Sequence, residues 1–167
     1  DNDYLTLLGG CYLQGDFGGG GGDGYPPNNY TNLYGIPNFR FRVASFEPAT
    51  AIRSEYAPYQ YTLSTSYDYT YGWRFTVGSE DLEVTDLMVH DCASTSVDKV
   101  TIWKQSDQSV VLQKDYVRYR ESPEAVPGWS TRRVACILTA GETYRIGVYC
   151  PRGSDMAKAN STTSYAS

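Results

Sequence analysis

Several things are scarce in this chain of 167 residues. It has one histidine, His90, two methionines and no lysine before Lys99, and none of its four cysteines (Cys11, Cys92, Cys136, Cys150) forms a C-x-x-C pair. A zinc site built on close ligand pairs is therefore disfavoured, and two disulfides are the better reading of the cysteines. The net charge is −5, which leaves no basic surface for a phosphate backbone to neutralise, so nucleic acid is not an expected partner. Long apolar runs are missing too. The tightest, Val134 to Leu138, is strand-sized, so no membrane span is expected.

What is abundant points to strands. Aromatics make up 14% of the chain, with 16 tyrosines, a composition that suits pleated surfaces better than helices. Phe39-Arg40-Phe41-Arg42-Val43 and Gly72-Trp73-Arg74-Phe75-Thr76-Val77 alternate apolar and charged or polar side chains, as strands with one wet face do. Leu82 to Val89, Val100 to Lys104, Ser109 to Lys114, Asp115 to Arg120, Ser130 to Leu138 and Thr143 to Cys150 continue the series, and Thr139-Ala140-Gly141-Glu142 reads as the turn of a final hairpin. The expected fold is all-β: an antiparallel β-sandwich, jelly-roll or Ig-like, with an N-terminal extended arm.

Nine of the 16 glycines fall between Gly9 and Gly24, which divides the chain. Residues 1–17 read as an arm carrying a strand-like stretch, Tyr4-Leu5-Thr6-Leu7-Leu8. Residues 18–38 read as a Gly/Pro/Asn-rich linker and loop, 39–150 as the sandwich, and 151–167 as a loose polar tail. A phosphate-binding loop needs Lys and Ser/Thr after its glycines, but Asp23-Gly24-Tyr25-Pro26 follows here, so the glycines are a flexible connector. Seven such residues reach at most about 23 to 25 Å, the scale of a neighbouring domain. The arm thus has two readings. It folds back as an edge strand of its own sandwich, or it inserts beside an open edge of the next subunit and propagates head-to-tail.

From Gly72-Trp73-Arg74-Phe75-Thr76-Val77 through Leu82-Glu83-Val84-Thr85-Asp86-Leu87, Val100-Thr101-Ile102-Trp103 and Val110-Val111-Leu112 to Ala140-Gly141-Glu142-Thr143-Tyr144-Arg145-Ile146-Gly147, the chain resembles a family of secreted, mostly bacterial β-sandwich modules known only as a domain of unknown function. The resemblance spans about residues 71–150 and carries no catalytic signature. It implies a secreted or cell-surface sandwich. Cys92, Cys136 and Cys150 depart from the family pattern and suggest an extracellular variant with added staples. The preferred pairing is Cys92 with Cys136 and Cys11 with Cys150, the second made within a chain or between chains, because a hairpin at Ala140-Gly141 makes Cys136 and Cys150 poor partners.

Other motifs carry weaker signals. Asn29-Tyr30-Thr31 and Asn160-Ser161-Thr162 are glycosylation sequons. The tyrosines Tyr56, Tyr59, Tyr61, Tyr67, Tyr69 and Tyr71 suit either sugar stacking or, as favoured, packing on a sheet or in a subunit contact. Glu80, Asp81 and Glu83 adjoin in a turn, whereas glycoside hydrolysis needs carboxylates facing across a cleft. They leave loop-bound calcium as an open alternative. His90 beside Asp91 and Cys92 reads as structural. The expectation is a processed, secreted, non-enzymatic subunit of an extracellular, pilus-like filament. It joins identical subunits in a helical homopolymer by donor-strand exchange, with covalent glycans and no cofactor. The alternative is a carbohydrate-binding or adhesive module.

Overall fold

The structure is a computed structural model and describes residues 4–16, 21–30, 33–34, 37–43, 50–51, 59–62, 67–91, 99–115, 128–152 and 155–159. Among the described residues thirteen strands follow one another: β1 (Leu5–Gln14), β2 (Asn28–Tyr30), β3 (Leu33–Tyr34), β4 (Pro37–Val43), β5 (Thr50–Ala51), β6 (Tyr59–Thr62), β7 (Tyr69–Val77), β8 (Leu82–Asp91), β9 (Lys99–Lys104), β10 (Val110–Asp115), β11 (Gly128–Leu138), β12 (Thr143–Cys150) and β13 (Asp155–Ala159). Among the described residues there is no helix. One sheet has the order β10-β9-β12-β7-β1-β2, a second β11-β8-β4-β5, and a third β3-β13-β6, and every pairing is antiparallel. The all-β sandwich is the fold that the alternation implies.

The core lies between the six- and four-stranded sheets. β7 sends Tyr69, Trp73, Phe75 and Val77 inward and β12 sends Tyr144, Ile146, Val148 and Cys150, against Phe39, Phe41, Leu82, Val84, Leu87 and Leu138 of the opposite sheet. Phe39 stacks on Trp73 at 5.7 Å and lies 5.1 Å from Phe75, while the Trp73 indole donates to the Pro37 carbonyl at 2.7 Å. That bond satisfies the one polar atom that a buried tryptophan brings. Leu82 and Val84 share the core with Leu87 and Val89 although their spacing is odd between the pairs, because β8 is irregular around Thr85. The extra residue reverses the phase of the pleat. Asp86 is left off the core face, opposite Arg40 and Arg133.

Three expectations need correction. Thr139–Glu142 does turn, with Gly141 at φ 75° and Glu142 N donating to the Thr139 carbonyl at 3.3 Å. The turn does not close a hairpin, because β11 and β12 belong to different sheets. It is an arch that runs beside the β7–β8 connection. Gly141 N reaches the carbonyls of Val77 and Gly78 at 3.0 and 2.9 Å, and Asp81 accepts from Ala140 N at 2.8 Å. Second, the tail expected to be loose supplies β13, which pairs with β6 and β3. Third, the sandwich does not begin at residue 39: β1 lies inside the six-stranded sheet, between β7 and β2. The arm in this structure is folded back on its own chain.

A hairpin does join β9 to β10. Asp107 accepts from Ser109 N at 3.0 Å and from Ser109 Oγ at 2.7 Å, fixing the turn while Gln108 takes φ 60°.

Two central glycines set the limits of the sheet. Gly72 and Gly147 face each other on β7 and β12, and a Cβ on Gly72 would sit 1.7 Å from the Ile146 carbonyl oxygen, a backbone atom that cannot give way. On Gly147 it would meet Thr70 and Trp103 side chains at 2.9 and 3.1 Å, and on Gly141 nothing within 4 Å. Gly72→Ala is therefore expected to cost about 3 kcal/mol or more or to prevent folding, Gly147→Ala to cost less, and Gly141→Ala about 1 kcal/mol from its left-handed φ alone. Urea unfolding of the three variants checks this order.

Candidate functional site

The glycines leave the outer face of the six-stranded sheet low at its centre, and the segment from Gly21 to Asn29 crosses over it. The residues on that face alternate with the core residues: Thr70 and Arg74 on β7, Arg145 and Tyr149 on β12, Lys99 and Trp103 on β9, and Cys11 on β1. The Thr70 hydroxyl donates to the Gly22 carbonyl at 2.7 Å and accepts from Gly24 N at 3.4 Å. Lys99 pairs with Asp23. The Tyr25 ring meets Trp103 edge-on at 6.3 Å and takes the Arg145 guanidinium over its face at 4.9 Å. Trp103, on the face away from the core, is thus only 5% exposed.

The glycine segment is consequently more than a connector. Gly21 has φ 69°, and a Cβ on Gly22 would lie 2.3 Å from the Asp68 carbonyl oxygen. Close backbone approach and a left-handed φ are what only glycine supplies. Gly15 N also donates to the Asp68 carbonyl, at 2.8 Å, so both sides of residues 17–20 are anchored at one point. Residues 17–20 themselves, within the expected connector, lie outside the described residues.

In the arm, Leu5 and Leu7 pack against the core, Tyr4 lies 6.4 Å from the Phe41 ring, and Thr6 stands opposite Thr76. Leu8 is the extra residue of a bulge: the register shifts between Leu7 and Gly9, Gly9 has φ 107°, and Leu8 is 41% exposed. Beyond the bulge Cys11 faces outward, opposite Gly72, and is buried beneath the crossing segment.

No disulfide forms among the described cysteines Cys11, Cys136 and Cys150. Cys11 and Cys150 lie on opposite faces of the six-stranded sheet, two strands apart, which corrects the expected intrachain pairing. Cys136 lies opposite Val84 with its sulfur 4.0 Å from the Val111 carbonyl oxygen. Cys92 lies outside the described residues. Asp91, just before it, is opposite Gly128, at the other end of the β8–β11 pair.

Among the tyrosines, Tyr69 and Tyr71 stack at 4.8 Å, Tyr67 meets Tyr69 at 6.3 Å, and all three pack in or against the core. Tyr59 and Tyr61 lie on β6, and Tyr56 is outside the described residues. Asn29 is exposed on β2, with Oδ1 accepting from Arg145 at 3.3 Å, while Asn160 is outside the described residues. The clustered carboxylates have structural partners: Glu83 pairs with Arg42 at 2.6 Å and Asp81 caps the Ala140 arch. His90 lies on β8. Among the described residues no group of His, Cys, Asp and Glu is placed to hold a metal. No helix among them is long and apolar enough to cross a membrane.

The residues that sequence reasoning missed are Arg74 and Arg145, which stand side by side on this outer face. Their phase in G-W-R-F-T-V and T-Y-R-I-G marks them as facing water. The available signal was the glycine two residues from each, Gly72 and Gly147, since a glycine inside a strand marks a close backbone approach. No family model matches the chain, and neither does any curated protein or solved structure.

Burial governs the chemistry of Cys11. Desolvation pushes its thiol up to about 12, against the opposing positive charges of Arg145 and Arg74. The thiol thus stays protonated and is no nucleophile at neutral pH. The unfolded thiol ionises near its ordinary value of 9.0 and the folded one only near 12, so stability falls as pH rises through that window. Between pH 8 and 10.5, wild type is expected to lose about 2 kcal/mol more than Cys11→Ala. Urea unfolding of both proteins at the two pH values measures the difference.

Proposed function

We propose that the chain is a non-enzymatic structural subunit of an extracellular filament, polymerising head-to-tail by exchange of β1 between identical subunits. The observation that carries this reading is the place of β1. It is the first described strand, pairs with β7 from Leu5 to Gln14, and packs Leu5 and Leu7 against the core. Exchanging such a strand for the same strand of another copy restores every contact in trans, so the balance between monomer and polymer rests on concentration and on residues 15–21, through which β1 must reach. A glycan on Asn29 would stand on β2, next to the exchanged strand. The tyrosine-based sugar reading loses its support because Tyr67, Tyr69 and Tyr71 serve the core.

Thr6 and Thr76 stand directly opposite one another, which gives the test. Assembled Thr6→Cys/Thr76→Cys protein, oxidised and run without reductant, is expected to give a ladder of covalent multimers. Filaments that yield only cross-linked monomer would sink the exchange. Removal of residues 1–16 is expected to abolish assembly, and a peptide of residues 1–16 to bind the truncated chain.

A further inference from the structure

Arg74 and Arg145 occupy directly opposite positions on neighbouring strands and the same face of the sheet. Like charges so placed repel, and a buried arginine is ordinarily paired with an acid. Among the described residues no acid pairs with either arginine. Arg145, only 6% exposed, donates to three neutral acceptors: the Pro26 carbonyl, Asn29 Oδ1 at 3.3 Å and Gln105 Oε1 at 3.3 Å. Arg74 donates from Nη2 to the Leu8 carbonyl at 2.9 Å, and its Nε is buried without any acceptor. The ion pairs among the described residues, Arg42–Glu83, Lys99–Asp23 and Lys104–Glu142, involve neither arginine.

The surroundings leave a way in. Opposite Arg74 on β1 stands Gly9, which has no side chain to overhang it. The adjacent bulge residue Leu8 is at the surface. We propose that Arg74 and Arg145 form a binding site for a small oxyanion, sulfate or phosphate. Its oxygens accept from Arg74 Nε and the neighbouring guanidinium N–H groups. A planar guanidinium fork fits such oxygens two at a time, and a dianion matches two uncompensated positive charges better than a single carboxylate does. The site lies apart from the core and does not depend on strand exchange.

Sulfate stabilises many proteins through exclusion from their surface, so the test must separate binding from that general effect. Thermal unfolding is followed while sodium chloride is replaced by sodium sulfate or phosphate at constant ionic strength, for wild type and Arg74→Gln. Wild type is expected to show a saturable rise in melting temperature that Arg74→Gln lacks. An equal response in both proteins overturns the site. Should Arg74→Gln fail to fold, the Arg74 Nε–Hε resonance of wild type decides: it shifts saturably with either anion under the proposal, and an unmoved resonance refutes it.

Discussion

β7 has no free edge and little of either face in water, and the rest of the molecule is arranged around that fact. β12 and β1 close its two sides. Trp73, Phe75 and Val77 are buried inward, while Thr70, Gly72 and Arg74 face a sheet surface that the segment from Gly21 to Asn29 crosses. Covering both faces of a strand demands that something come close on each. On the core face aromatic rings do so. On the outer face it is backbone, and the price is glycine, Gly22 against the Asp68 carbonyl. Burying that outer face also takes Trp103, Cys11 and Arg145 out of water. A protonated thiol and an arginine served only by neutral acceptors are consequences of a sheet covered twice.

Alternation at Phe39–Val43 and Gly72–Val77 made the sandwich legible, since period two with apolar residues on one phase has few other solutions. Places where the phase slips were not legible. Thr85 and Leu8 are ordinary strand residues, and only the partner strands reveal them as extra. Nor does a turn disclose what it joins. Thr139–Glu142 carries the residues of a tight turn whether it closes a hairpin or carries the chain between sheets, and the difference lies in the long-range contacts of Gly141 and Ala140. The turn at Asp107 and Ser109 did close a hairpin, with similar local chemistry. The argument against pairing Cys136 with Cys150 fails for the same reason: with β11 and β12 in different sheets, a register counted across a supposed hairpin has no meaning.

The outer face was the least legible part. An arginine between apolar neighbours in a strand reads as the wet side of the pleat, because sequence periodicity distinguishes two faces but not what later covers them. The glycine run misled in the complementary way. Composition makes it a connector, yet Gly21 and Gly22 are fixed by a left-handed φ and a backbone contact. Thr70 then ties the segment down by donating to the Gly22 carbonyl and accepting from Gly24 N.

These details restrict which strand can occupy the place of β1. Removing it strips Arg74 of the Leu8 carbonyl and uncovers the core where Leu5 and Leu7 pack. A replacement must supply apolar side chains at two alternate positions, then an extra residue whose carbonyl meets Arg74, then a glycine able to adopt φ near that of Gly9, then a small side chain opposite Gly72. A generic alternating strand satisfies the first requirement and fails the others, because a Cβ at the Gly9 position is strained and a straight strand brings the wrong face down after the bulge. A second copy of the same segment satisfies all of them. Discrimination between strands thus resides in the bulge and the arginine beside it, while the leucines supply adhesion that many strands share.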